Sequence, residues 1–111
     1  MASYFVRRDD CFKRTLFPGV QALTMAGDKI MVSLVELEPH SIVESHSHPH
    51  EQVGMLLEGE VTFTVGDQQE LLKPGDMWRI PGGVEHGVVT GPKKSRALDI
   101  FHPVREEYLR E

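Results

Sequence analysis

Apolar and polar residues alternate along most of the chain in short runs separated by turn-forming residues. Lys29 to Leu37, KIMVSLVEL, places Ile30, Val32 and Leu34 on one face of an extended segment and Met31, Ser33 and Val35 on the other. A strand that is apolar on both faces points to burial inside a barrel or sandwich. Glu60 to Val65 alternates more cleanly, with Val61, Phe63 and Val65 opposite Thr62 and Thr64, as in a half-buried strand. Gly66-Asp67-Gln68 turns the chain into Gln69 to Lys73, and Pro74-Gly75 suits a type II turn. Further strands are expected over Gln52 to Glu58, Met77 to Ile80, Gly87 to Thr90 and Ser95 to His102. Turn signals recur about every 8–12 residues, the spacing of an all-β sandwich or barrel. Only Val104 to Glu111 reads as helical, with Pro103 ahead of it and Val104, Tyr108 and Leu109 as a short apolar stripe.

Composition narrows the classes. A chain of 111 residues with 40% apolar content fits one domain over 1–111 with one core. No apolar run approaches the ~18 residues of a membrane span, and the first residues lack a secretory pattern, so a cytoplasmic location is expected. Cys11 is the sole cysteine, which excludes an internal disulfide and a cysteine-rich zinc site. A net charge of −5 argues against nucleic-acid binding. The one basic cluster, Lys93-Lys94-Ser95-Arg96, follows Gly91-Pro92 and reads as a solvated turn.

The chemistry concentrates in Ser45-His46-Ser47-His48-Pro49-His50-Glu51-Gln52, which holds three of the six histidines. Side chains two apart on an extended strand share a face, so His46 and His48 can converge on one metal ion. Imidazole nitrogen suits zinc, copper, iron and nickel. Taken alone, the pair reads equally as two surface histidines. Pro49 breaks the regular strand that would make His50 a further ligand, so His50 is assigned to the surroundings of the site or to the surface. His40 in a turn and His102 at a strand end read as structural, and Glu51 and Glu85 as solvated carboxylates.

Two segments, His46-x-His48-x3-Gln52 with Gly59 and Gly75-x5-Pro81-x-Gly83-x2-His86, resemble the two motifs of the cupin superfamily, here within 40–59 and 75–90. The resemblance implies a double-stranded β-helix or jelly-roll barrel, with one divalent ion held by His46, His48, Gln52 and His86. Two positions depart from the motifs: His40 stands where a glycine is usual and Thr90 where an asparagine is usual. Gln52 stands where glutamate is common. Three imidazoles and an amide leave the ion its full charge, which favours Lewis acidity and anionic ligands. Nickel, zinc, iron and manganese all accept such donors, as does copper.

Ser47 to Glu60, SHPHEQVGMLLEGE, and Leu98 to Leu109, LDIFHPVREEYL, resemble the pectin degradation protein family called KdgF. That resemblance implies opening of the ring of 4,5-unsaturated uronates to 5-keto-4-deoxyuronate, with Asp99, Phe101 and Arg105 as the catalytic set and a small anionic sugar as the partner. Arg79, two residues before Pro81, is expected to aim into the barrel as a second carboxylate contact, with Trp78 on the opposite parity as packing. Other readings stay open: an iron-dependent cupin dioxygenase, another small-molecule isomerase or lyase, or a non-catalytic metabolite binder. A homodimer is expected, formed through the Ser3 to Val6 run or through packed barrel faces.

Overall fold

The computed structural model describes residues 3–109. Ten strands run in chain order: β1 Phe12–Phe17, β2 Val20–Ala26, β3 Met31–Leu37, β4 Ile42–His46, β5 Glu51–Glu58, β6 Val61–Val65, β7 Gln68–Leu72, β8 Met77–Ile80, β9 His86–Thr90 and β10 Ser95–His102. They form a six-stranded sheet, β1-β2-β3-β10-β5-β8, and a four-stranded sheet, β4-β9-β6-β7, with antiparallel pairing throughout. The order of both sheets jumps along the chain, so residues distant in sequence meet inside. Among the described residues no helix is long and apolar enough to cross a membrane.

The alternation expected from the sequence decides which side chains enter the interior. On β3, Met31, Ser33, Val35 and Leu37 are buried while Val32 and Leu34 are half-exposed. The strand is apolar on both faces, but the chain fully covers only one. Val20, Ala22, Val35, Leu37, Leu56, Val61 and Ala97 form the main cluster between the sheets. At one end Met31, Phe101 and Tyr108 make a second cluster. The turn at Pro74-Gly75 forms as expected, with the Asp76 amide donating to Lys73 O at 2.9 Å and Gly75 at φ 97°.

Two expectations need correction. The helix expected over Val104 to Glu111 is a 3-10 turn at Glu106–Leu109, and residues 110 and 111 lie outside the described residues. Within the turn only Tyr108 is fully buried, with Leu109 packed partly against the same cluster, too short an apolar face for a longer amphipathic helix. The second is that β4 stops at His46, so His48 lies in the segment leading to β5 and not on the strand. Ser3 to Val6 lies outside both sheets, with Tyr4 and Phe5 87% and 79% exposed.

Thr90, where the motif usually has asparagine, closes the lower end of the barrel. Its hydroxyl donates to Glu38 O at 2.9 Å and accepts from the Ser41 amide at 2.7 Å. Thr90→Val should therefore lower unfolding stability by about 2 kcal/mol, because the Ser41 amide loses its side-chain partner in a buried position. Urea denaturation at constant m-value checks this; an unchanged midpoint would show that water replaces the hydroxyl.

Candidate functional site

The site forms where the ends of both sheets face each other. Sheet pairing sets Phe101 beside Gln52 and Ile80, and one step along sets Asp99 beside Gly54 and Trp78. All of these positions take the inward parity. From the opposite sheet, His46 ends β4 directly across from His86, which begins β9. A register shift between Val43 and His46 puts both of these residues, three apart, on the inner side. His48 enters from the following segment.

His46, His48 and His86 bring one ring nitrogen each to within 4.8 Å of one another. The backbone fixes which nitrogen each presents. Nδ1 of His46 lies 2.8 Å from Glu44 O, that of His48 3.1 Å from His50 O, and that of His86 2.9 Å from Val84 O. A carbonyl oxygen only accepts, so each Nδ1 carries the proton and each Nε2 keeps its lone pair for the interior. Burial, with Arg105 nearby, pushes His48 down to about 4, and burial likewise lowers His86. Both rings are therefore neutral at neutral pH, the state in which imidazole binds metals.

The donor set fits a cation. Gln52 Nε2 donates to Asp99 Oδ1 at 2.9 Å, which turns Gln52 Oε1 toward His48 Nε2 at 3.1 Å. Two lone pairs then face each other across a buried gap. The Nε2 of His86 is buried with no partner among the described residues. A convergent group of acceptors without a donor is what a divalent ion satisfies.

Asp99 is the hub of the remaining polar groups. Its Oδ1 accepts from both Gln52 and Trp78, the indole Nε1 at 2.8 Å. Burial raises its carboxyl to about 6, opposed by those two hydrogen bonds and by the Arg105 charge. Beyond β10, Arg105 is held by three contacts. Its Nε bonds the Glu107 carboxylate, its Nη1 donates to Tyr108 Oη at 2.9 Å, and its guanidinium lies 4.2 Å from the Tyr108 ring centroid. The same hydrogen bond holds Glu107 below the usual carboxylate range, while burial raises Tyr108. Phe101 stands edge-on to His48, with ring centroids 5.7 Å apart. Asp99, Phe101, Arg105, Gln52, His46 and His86 all line one cavity inside the barrel.

The family model of the cupin domain matches residues 33–101, more than half of the sequence. The chain belongs to the cupin family. This small cupin resembles KdgF from Halomonas sp., with 25% identity and a TM-score of 0.85 over 98% of this chain and 100% of that one. An RmlC-like cupin from Shewanella frigidimarina is 24% identical, with a TM-score of 0.86 over 96% of each chain, which shows the shared fold. Oxalate decarboxylase of Bacillus subtilis, a protein with Mn(II) centers, shares the fold at 18% identity and a TM-score of 0.81. The match covers 90% of this cupin and 30% of that chain.

The structure departs from the sequence reading at Arg79 and Trp78, whose places are exchanged. Arg79 is exposed and lines an outer groove, whereas Trp78 faces inward against Asp99. The sequence reading takes its parity from Pro81, but β8 ends at Ile80, so Pro81 belongs to the following turn and does not keep the two-residue period of the strand. Counting instead from buried Ile80, which pairs with Gln52, gives the observed orientation. Arg79→Ala should accordingly leave the affinity for any ligand of the inner cavity within about twofold, as expected of a surface change; calorimetry would show a larger loss if Arg79 reached the ligand. His50 acts through its carbonyl, which orients His48, and its ring is not among the three that converge. Glu51 and Glu85 are exposed, as expected. Tyr108 was read only as part of an apolar stripe and Gly54 not at all, although a glycine facing an inward Asp and Trp signals close approach once the register is known.

Proposed function

We propose that this cupin opens the ring of 4,5-unsaturated uronates, giving linear 5-keto-4-deoxyuronates, with a divalent metal bound by His46, His48, His86 and Gln52. The observation that carries the proposal is the convergence, in one cavity, of His46, His86 and Gln52 with Asp99, Phe101 and Arg105, with His48 completing the histidine group beside it. Likeness to KdgF over nearly the whole of both chains supports it.

The reaction is an isomerisation. The C1 hydroxyl loses its proton, and its oxygen–hydrogen pair becomes the second bond of the aldehyde. The bond from C1 to the ring oxygen breaks, its electrons give an enolate, and C4 takes up a proton to leave a ketone at C5. No oxidant is consumed, and one proton is moved. Asp99 suits that transfer: Oδ1 is saturated by Gln52 and Trp78, so the second oxygen is left to take the proton from the hydroxyl and return it at C4. Arg105 holds the substrate carboxylate with the Nη2 edge that its contacts to Glu107 and Tyr108 leave free among the described residues. Phe101 walls the cavity beside His48 and keeps water from the developing enolate. A bound divalent ion would supply Lewis acidity, undiminished by the neutral Gln52, for negative charge that develops on oxygen.

Nickel, zinc, iron and manganese can all bind such a donor set, so metal identity is tested by content analysis after purification without chelators. Oxygen electrode traces during turnover separate ring opening, which leaves dissolved oxygen constant, from a dioxygenase reaction, which consumes it in proportion to substrate.

A further inference from the structure

We propose that Arg14 forms, with Arg105, a carboxylate-binding mouth in which the ligand's carboxylate lodges between the two guanidinium edges. This assignment rests on the uronate reading above and extends it to a residue on the opposite edge of the barrel. The inner cavity has a volume of ≈ 60 Å³. At about 10–15 Å³ per water that admits only a few waters, whereas a uronate has about a dozen heavy atoms. A bound sugar must therefore extend beyond the inner cavity while its reacting end reaches Asp99. An adjoining recess of ≈ 220 Å³ shares Leu16, Phe17, His46, Arg105 and Tyr108 with it, so the recess is its opening. Arg14 and Glu107 complete that opening.

Register explains how Arg14 reaches it. On β1, Arg14 takes the inward parity with Leu16, and its partner on β2 is Ala22, whose small side chain leaves the long one room. Nη1 of Arg14 bonds the backbone carbonyl of Glu107, and Glu107 in turn holds Arg105 through its carboxylate. One residue thus ties both arginines, and each keeps an unused guanidinium edge among the described residues. With two cations and one carboxylate the mouth is net positive on a chain of net charge −5, an arrangement that draws anions to one place.

Arg14→Gln keeps a donor for the Glu107 carbonyl and removes the charge. The assignment predicts about a tenfold or greater rise in KM for 4,5-unsaturated galacturonate, as for loss of a charge-assisted hydrogen bond, with kcat within about twofold. Calorimetry should show the same loss for saturated galacturonate, no change for its neutral methyl ester, and partial recovery in Arg14→Lys. If Arg14→Gln binds galacturonate as the parent does, the mouth assignment falls. If galacturonate binding depends on Arg14 but no unsaturated uronate is opened, the mouth stands and the ring-opening reading falls. If no sugar carboxylate binds the parent protein, both fall.

Discussion

Gly54→Ala is expected to cost about 2–3 kcal/mol of unfolding stability and to lower turnover on the order of 10²-fold or more. Gly54 lies between Asp99 and Trp78 in the sheet, and the indole reaches the carboxylate only because no side chain stands between them. A Cβ there would come within 2.5 Å of Leu98 O, 2.5 Å of Trp78 Nε1 and 2.6 Å of Asp99 Oδ1. The backbone carbonyl cannot yield without parting β10 from β5, and a shift of Asp99 releases Gln52, whose orientation depends on it. Histidines on the opposite sheet are untouched, so the variant should retain part of its metal affinity while losing activity. Chemical denaturation and single-turnover kinetics on the same preparation check both parts. Wild-type turnover in Gly54→Ala would show that Asp99 tolerates a different geometry.

His86→Ala should have the opposite signature, with modest damage to the fold and a large loss of metal affinity. The Nε2 of His86 is a buried acceptor with no partner among the described residues, so in the metal-free protein its removal also relieves a desolvated group. A metal present at 100 times its Kd stabilises the parent protein by about 2.7 kcal/mol. If deleting one of three imidazoles weakens binding about 100-fold, the same metal concentration stabilises the variant by only about 0.4 kcal/mol. Thermal unfolding of chelator-treated protein, with manganese, nickel or zinc added back, reads this directly. Equal stabilisation of parent and variant would exclude His86 from the metal site.

The sequence carried the architecture well where its alternation was regular. β8 over Met77–Ile80 and β10 over Ser95–His102 have the expected ends, and β3, β5, β6, β7 and β9 differ by a residue or two. β1 and β2 went unassigned. Phe12–Phe17 is an edge strand broken by Lys13 and Arg14, and Val20–Ala26, VQALTMA, is rich in residues of high helix propensity. Pairing with β3 holds β2 in extended form, a tertiary effect that local pattern does not contain. The histidine group was legible because its spacing survives the end of β4. The roles of Trp78, Gly54 and Arg14 were not, since each depends on register between strands far apart in sequence. Arg79 shows the same limit, because parity is lost wherever a turn intervenes.

The central claim is that the acceptor-only histidine group and Asp99 together open an unsaturated uronate. The direct measurement follows the absorbance of the conjugated double bond of 4,5-unsaturated galacturonate with metal-loaded protein, metal-stripped protein and Asp99→Asn. Asparagine keeps an oxygen that can accept from Gln52 and Trp78 but cannot carry the proton. The account predicts loss of the double bond faster than the spontaneous rate, dependence on metal, and a drop of about 10²–10⁴-fold in Asp99→Asn with metal content unchanged. Metal-loaded protein that leaves the double bond to decay at its spontaneous rate would contradict it.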